Sequence, residues 1–194
     1  MDIRISGFGG QGIIKAGFLV GKAASLFDGK HATLNQSFGP EARGGACSAQ
    51  VIISDSPVFY PYIMATEILV AMSQEAYDRF AGDLHGKGIL LYDADLVTPG
   101  NTPKGVKSFS IPSTRIAEEM GNRIFANVVM VGFFAAITQM VTPEAVRKAL
   151  PGSVPSRFVD KNIEAFDRGF TYGKDLLKEN SRASLAEQGV SPVL

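Results

Sequence analysis

The sequence predicts an α/β fold, a single Rossmann-like domain whose mostly parallel sheet is flanked by helices. Segments typical of strands alternate with segments of helical periodicity, which is the pattern of α/β proteins. A cluster of glycines, from Gly7 to Gly12, lies between the first predicted strand and the first predicted helix. The chain has 194 residues, 45% of them hydrophobic. That length and composition predict one domain with one buried core.

The first elements follow from alternation and from helical spacing. Residues 2–6 alternate between apolar and polar and predict a strand. Apolar residues recur at helical spacing over 13–27, and Gly29 follows where a helix C-cap belongs. Residues 31–36 and 47–54 are predicted as the next two strands, the second of them by its alternation.

The middle of the chain predicts three more strands. The apolar run 68–72 is typical of a strand covered on both faces. A short helix is predicted at 74–84, followed by a turn at 85–88, which carries two glycines. Further strands are expected at 89–92 and 106–111.

The rest of the chain is predicted to be mostly helical. Helices are expected over 113–120, with Ser113 as N-cap, over 124–140, from Thr142 onward, and over 157–177. We expect residues 1–179 to form the domain and 180–194 to be a polar C-terminal tail, which is loose or ordered only by a partner.

Composition excludes several kinds of site. The chain has one cysteine and two histidines. It therefore cannot form an internal disulfide, nor hold an iron–sulfur cluster or a structural zinc site alone, since each such metal site needs about four ligands. Nucleic-acid binding is also disfavoured, because the 19 Lys and Arg residues are balanced by 19 Asp and Glu. Glycine is in excess, at 21 of 194 residues against a usual share of about 7%.

The N-terminal glycine loop matches the G-x-G-x-x-G spacing and lies between a strand and a helix. Missing side chains and free N–H groups at a helix start favour an anion such as a diphosphate. The alternative is a tight turn without a ligand. Binding of NAD is disfavoured, because Asn35 and Gln36 stand where an acidic residue should meet the ribose. The loop is Gly7-Phe8-Gly9-Gly10-Gln11-Gly12.

A second polar loop runs from Ser37 to Gly45. Its Arg43 could place two hydrogen bonds on a phosphate or carboxylate, and Gly44 and Gly45 could form an anion-binding nest. The alternative is an ion pair between Glu41 and Arg43 that only braces the loop, and both roles are compatible. The carboxyl ends of strands carry the ligand sites of such sheets, so the two loops are the predicted site.

These two loops also carry a family resemblance. GFGGQGIIKAGFLVGKAA and QSFGPEARGGACSAQVIIS resemble the gamma subunits of 2-oxoacid:ferredoxin oxidoreductases, in particular the 2-oxoglutarate and branched-chain types. The resemblance continues through Pro57, ILVAMSQEAYDRF and 127–132, and covers about residues 3–170. Phe38 departs from the tyrosine that is common in the family.

The resemblance implies a subunit that is inactive alone. The complexes of this family decarboxylate a 2-oxoacid, here expected to be 2-oxoglutarate, reduce ferredoxin and form an acyl-CoA. Thiamine diphosphate and iron–sulfur clusters would be held by partner subunits, alpha and beta, with a delta subunit as a further candidate. This chain would bind coenzyme A, with Lys15 or Lys22 adding charge. The implied contact residues are Gly7, Gly9, Gly10, Gln11, Gly12, Ser37, Arg43, Gly44 and Gly45.

Two other readings remain open at this point. The chain could be a purely structural subunit whose glycine loops contact other subunits, or a free-standing nucleotide-binding oxidoreductase. No catalytic residue or metal ligand is predicted on the chain itself.

Four other residues are predicted to be structural. Cys47, among small neighbours, is expected to be a buried thiol rather than a nucleophile. Asp93 and Asp95 are expected to cap a loop rather than to bind Mg²⁺. Asn127, in an apolar helix, needs a partner and is expected to bond to the facing loop or to a ligand.

The uncharged run 124–141 has 18 residues, which is at the lower bound for a membrane span. We predict instead a helix buried on most sides or in a subunit interface. Within it, Phe133 and Phe134 are the predicted place of a homodimer contact. No signal peptide is visible at the N-terminus, so the expected compartment is the cytoplasm.

Overall fold

The structure is a computed structural model and describes residues 1–37, 46–100 and 102–187. A six-stranded sheet has the spatial order β2-β3-β1-β4-β5-β6. Its strands are β1 (Asp2–Phe8), β2 (His31–Ser37), β3 (Ala46–Ser54), β4 (Thr66–Ala71), β5 (Leu84–Asp93) and β6 (Lys107–Ile111). The α-helices are α1 (Ile13–Phe27), α2 (Gln74–Phe80), α3 (Ser113–Glu119), α4 (Ala126–Thr138), α5 (Pro143–Ala149) and α6 (Val159–Glu187). Single 3₁₀ turns follow α2 and precede α4 and α6.

The sheet is mostly parallel, as predicted. Strands β1, β4, β5 and β6 run parallel to one another. Strand β3 is antiparallel to both of its neighbours, β1 and β2. The link from β2 to β3 is too short for the crossover that a parallel pair requires, so an antiparallel pair is the result.

Helices cover both faces of the sheet unequally. One face packs against α1 and α4 in the larger core cluster, while α2 covers part of the other face. The strand β4 contributes Ile68 and Val70 to the first face and Leu69 and Ala71 to the second. The prediction of a strand covered on both faces is therefore confirmed.

The helix α4 is buried on almost every side. It packs against α6, and the two helices approach so closely that a methyl group at Gly132 would overlap the backbone oxygen of Phe166. Phe133 and Phe134 are fully buried inside the chain. The prediction that these two rings form a homodimer contact is therefore wrong. Within the described residues, no helix is long and apolar enough to cross a membrane.

Several predicted boundaries differ from the structure. Residues 85–88, predicted as a turn, lie within β5, because Leu84 already pairs with Thr66 of β4. Ser113 is the first residue of α3 rather than its N-cap, which is Pro112. The helix α6 continues past the predicted end at Leu177, so the first eight residues of the predicted tail are helical. The bounds of α1 and the start of α5 at Thr142 and Pro143 agree with the prediction, and Thr142 is the N-cap of α5.

Candidate functional site

A cleft of about 490 Å³ lies beside the glycine loop. Three longer segments and the single residue Cys47 of β3 form its walls: the segments are residues 9–19, residues 122–128 before and within α4, and residues 153–162 before and within α6. The size is within the usual range for small-molecule sites, which is roughly 300–1,000 Å³. Its larger apolar lining residues are Ile13, Ile14, Leu19, Ile124, Phe125, Val128, Val154 and Phe158.

The glycine loop presents the start of α1 to this cleft. Gly10 and Gly12 have φ angles of 99° and 77°, the left-handed conformation that glycine adopts without strain. Gly12 is the N-cap of α1, and among the described residues no side chain caps this helix end. Its first turn carries no acidic residue and faces the cleft through Ile13, Ile14 and Lys15. An uncapped helix start of this kind favours an anion, because its N–H groups are free and its dipole is positive.

Gln11 braces the loop through its side-chain amide. Its Oε1 accepts a hydrogen bond from the backbone N–H of Phe8 at 2.7 Å, and its Nε2 donates to the carbonyl oxygen of Met72 at 2.8 Å. The loop is thereby tied to the ends of β1 and β4. The amide of Gln11 thus holds the loop in place, and the backbone of the loop faces the cleft.

Asn127 holds the loop from the opposite side. Its Nδ2 donates to the carbonyl oxygen of Gly12 at 3.1 Å, and the residue is only 7% exposed. A methyl group at Gly12 would overlap this amide. The prediction that Asn127 bonds to the facing loop is confirmed.

The flanks of the second loop lie at the same edge of the sheet as the glycine loop. Ser37 pairs with Ser48 of β3, and Ser48 pairs with Ser6 of β1. Ala46, at the start of β3, pairs with Phe8. The register therefore places both ends of this loop beside the glycine loop. Its predicted contact residues Arg43, Gly44 and Gly45, and the Glu41–Arg43 pair, lie outside the described residues.

The two lysines named from the sequence have different surroundings. Lys15 is exposed on the first turn of α1 and lines the cleft. Lys22 instead donates to the carbonyl oxygen of Ala149 at 3.0 Å and to the Ser153 hydroxyl at 2.9 Å. Lys22 therefore holds the turn before α6, while Lys15 can supply charge to a ligand.

Cys47 lines the cleft but is nearly buried, at 7% exposure. Burial raises the pKa of its thiol above the ordinary value, because the thiolate loses solvation. The thiol is therefore protonated at neutral pH, which is unsuited to a nucleophile. The prediction of a buried structural thiol is confirmed.

Asp93 and Asp95 fulfil the predicted structural role. Asp93 is fully buried and accepts hydrogen bonds from the Ser113 hydroxyl at 2.5 Å and from the N–H and hydroxyl of Thr114. It also accepts one from the N–H of Asp95. The carboxylate thus joins the end of β5 to the start of α3, and the Asp95 carboxylate lies 3.4 Å from Arg115.

The side of the cleft next to α6 was missed in the sequence. Neither Phe158 nor Asn162 is among the contact residues predicted from the sequence. The available signal was a polar residue one turn after Phe158, on the same face of a helix.

Comparison with known proteins gives the family. The model of the family described as pyruvate ferredoxin/flavodoxin oxidoreductase matches residues 2–172. The chain belongs to the pyruvate ferredoxin/flavodoxin oxidoreductase family. Among its curated relatives is subunit KorC of 2-oxoglutarate synthase from Methanocaldococcus jannaschii. The two are 46% identical over 177 residues, which are 90% of this chain and 95% of that subunit.

Solved structures of the same family share the fold. The gamma subunit of a keto/oxoacid ferredoxin oxidoreductase from Geobacter sulfurreducens has 42% identity and a TM-score of 0.79, covering 89% of this chain and 97% of that one. The predicted membership among gamma subunits of oxoacid:ferredoxin oxidoreductases is therefore confirmed, and with it an oxidoreductase role for the chain as a subunit.

A third relative is a longer chain. The 2-oxoglutarate:ferredoxin oxidoreductase from Magnetococcus marinus was solved with 2-oxoglutarate, coenzyme A and succinyl-CoA bound. It has 25% identity and a TM-score of 0.81, and the match covers 90% of this chain but 31% of that one. In that enzyme the part that matches this chain is one portion of a longer polypeptide.

Proposed function

We propose that the chain is the gamma subunit of a 2-oxoglutarate:ferredoxin oxidoreductase and that it binds coenzyme A for the complex. The observation that carries the proposal is the cleft beside the uncapped start of α1, with Lys15 on its wall. The names of the relatives support the choice of 2-oxoglutarate, and the Magnetococcus enzyme supports the choice of coenzyme A.

The diphosphate of coenzyme A suits the glycine-loop end of the cleft. The free N–H groups at the start of α1 would donate to its oxygens, and Lys15 would balance part of its charge. Gln11 and Asn127 already fix the loop backbone through their own hydrogen bonds. The donors therefore need little rearrangement to bind, which lowers the entropic cost of binding.

The chemical steps fall to partner subunits in this proposal. In the overall reaction the 2-oxoacid loses carbon dioxide, its acyl group forms a thioester with coenzyme A, and two electrons pass to ferredoxin. Alpha and beta subunits, and a delta subunit as a further candidate, would hold the thiamine diphosphate and the iron–sulfur clusters. Homodimer contacts and a cytoplasmic location stay predictions.

Kinetics of the assembled complex test the coenzyme A role. We expect Arg43→Ala and Lys15→Ala each to raise the KM for coenzyme A by about tenfold or more, since each removes a hydrogen bond or charge from a phosphate. The KM for 2-oxoglutarate should stay unchanged. Arg182→Ala, at an exposed position of α6, is the matched control.

Three results would each contradict a part of the proposal. An unchanged KM for coenzyme A in both variants would remove the assigned roles of Arg43 and Lys15. Complexes that bind coenzyme A equally well with and without this chain would favour the purely structural alternative. A preference for branched-chain 2-oxoacids over 2-oxoglutarate would correct the substrate.

A further inference from the structure

The end of the cleft next to α6 has a different chemistry from the glycine-loop end. Its walls are Ile124, Val154, Pro155 and Phe158, with Asn162 beside them. Ile124 is 65% exposed and Phe158 is 39% exposed. The Phe158 ring is held edge-on against Phe125, with the ring centroids 6.5 Å apart. This end therefore offers a flat apolar wall that a ligand would cover.

Asn162 brings a free hydrogen-bond acceptor to this end. The residue is only 6% exposed, and its Nδ2 donates to the carbonyl oxygen of Phe158 at 2.7 Å. Within residues 1–37, 46–100 and 102–187, no group donates to its amide oxygen, which is also not among the polar atoms sealed from solvent. Because Asn162 lines the cleft, this oxygen is the group of its side chain left to accept a hydrogen bond from a ligand N–H there.

Positive charge lies at the rim of this end rather than inside it. Lys22 is occupied by Ala149 and Ser153, and Lys15 lies on the first turn of α1. Arg157 is exposed, and its guanidinium carbon is 4.9 Å from the centroid of the Phe158 ring. The interior thus suits a neutral planar group with N–H donors, and the rim suits a phosphate attached to it.

We infer that this end of the cleft binds the adenine base of coenzyme A and that Asn162 selects it. The inference rests on the proposed coenzyme A role. Adenine stacks on the face of Phe158 that the Arg157 guanidinium does not cover, its exocyclic amino group donates to the amide oxygen of Asn162, and the ribose 3′-phosphate lies beside Arg157. The thiol end of coenzyme A has to reach a partner subunit, so the non-reacting nucleotide end is the part that stays in this cleft.

The pantetheine arm is the competing occupant, since its amides also carry N–H donors. It offers no phosphate near Arg157 and no planar ring for Phe158. Adenine fits all three features of this end of the cleft, and pantetheine fits one.

Titration of the assembled complex with fragments of coenzyme A tests the inference. We expect adenosine 3′,5′-bisphosphate to bind about fivefold or more tightly than its inosine counterpart, which carries a carbonyl acceptor in place of the amino donor. We also expect it to bind more tightly than 4′-phosphopantetheine. In Asn162→Leu the preference for adenine over inosine should fall to about twofold or less. Asn180→Leu, at an exposed position of the same helix, should keep it.

A second variant separates base recognition from folding. Asn162→Asp keeps an acceptor oxygen but loses the hydrogen bond to Phe158, so it should keep the preference for adenine even if overall affinity falls. Equal binding of the adenine and inosine compounds by the wild type, or tighter binding of 4′-phosphopantetheine, would overturn the inference while leaving coenzyme A binding intact. A wild-type complex in which this chain adds no affinity for intact coenzyme A would overturn the proposed function itself.

Discussion

Two side-chain amides hold the glycine loop from opposite sides. Gln11 ties it to β1 and β4, and Asn127 ties it to α4. The sequence predicted the bond of Asn127, because a buried amide in an apolar helix needs a partner. It did not predict the role of Gln11, since the G-x-G-x-x-G motif specifies only the glycine positions and Gln11 stands at one of its variable positions. The amide of Gln11 bonds to the chain, and its contact with a ligand, implied by the family resemblance, stays a prediction.

Two glycines of the loop allow a matched test of this arrangement. Both Gly10 and Gly12 have positive φ angles, so Gly10→Ala and Gly12→Ala should each cost about 1–2 kcal/mol of folding free energy from backbone strain. Only the methyl group at position 12 meets Asn127, while that at position 10 meets no atom of the described residues within 4 Å. We therefore expect Gly12→Ala to be the more destabilising in urea denaturation. Equal losses would show that the contact with Asn127 is not tight.

The single cysteine gives a prediction on pH. Burial raises the pKa of Cys47, so the folded chain holds its proton at pH values where an unfolded cysteine has lost it. Alkylation by iodoacetamide should be slower in the folded chain than in urea and should rise at more alkaline pH. By linkage, this thiol's contribution to stability is present at neutral pH and declines as the pH rises above the ordinary pKa of cysteine. A folded-state alkylation midpoint at or below that of the unfolded chain would contradict this account.

Among the elements, the pair α4 and α6 depends on small residues at its contact. A methyl group at Gly169 would overlap the backbone oxygen of Val129, and one at Gly132 would overlap that of Phe166. Backbone atoms cannot rotate away as side chains do, so any larger residue forces the helices apart. This close approach buries Phe133 and Phe166 completely.

Substitution of Gly169 tests this contact. We expect Gly169→Ala to destabilise the chain by about 3 kcal/mol, the upper part of the usual range for overpacking, although alanine is the better helix former. Gly82→Ala, where a methyl group meets nothing within 4 Å and φ is not positive, should change the unfolding midpoint little. Similar midpoints for the two variants would mean that α4 and α6 can separate at little cost.

Elements with local signals were predicted well from the sequence. The first helix, the start of α5 at Thr142 and Pro143, and the doubly covered strand β4 all follow from short-range patterns. The turn expected at 85–88 was wrong because pairing of β5 with β4 overrides the local preference of two glycines. The burial of Phe133 and Phe134 inside the chain could not be predicted locally, because α6, which packs on α4, comes from a distant part of the sequence.

At the scale of the whole molecule, the cleft is built mainly from three segments that are far apart in sequence, with Cys47 of β3 beside them. Periodicity and the glycine motif locate the segment 9–19, but they carry no information on which later segments face it. Residues 122–128 and 153–162 reach the cleft only because α4 and α6 pack together. This is why the sequence located the glycine-loop end of the cleft and missed the end that contains Phe158 and Asn162.

Hydrogen exchange of the assembled complex, with and without coenzyme A, tests the central claim most directly. We expect coenzyme A to slow amide exchange in residues 9–19, 122–128 and 153–162, which line the cleft. Residues 55–65 are the internal control, because they link the end of β3 to the start of β4 at the opposite edge of the sheet. Protection of all three segments with none at 55–65 is the predicted result. If coenzyme A left the exchange rates of all three segments unchanged, the claim that this subunit binds it would be contradicted.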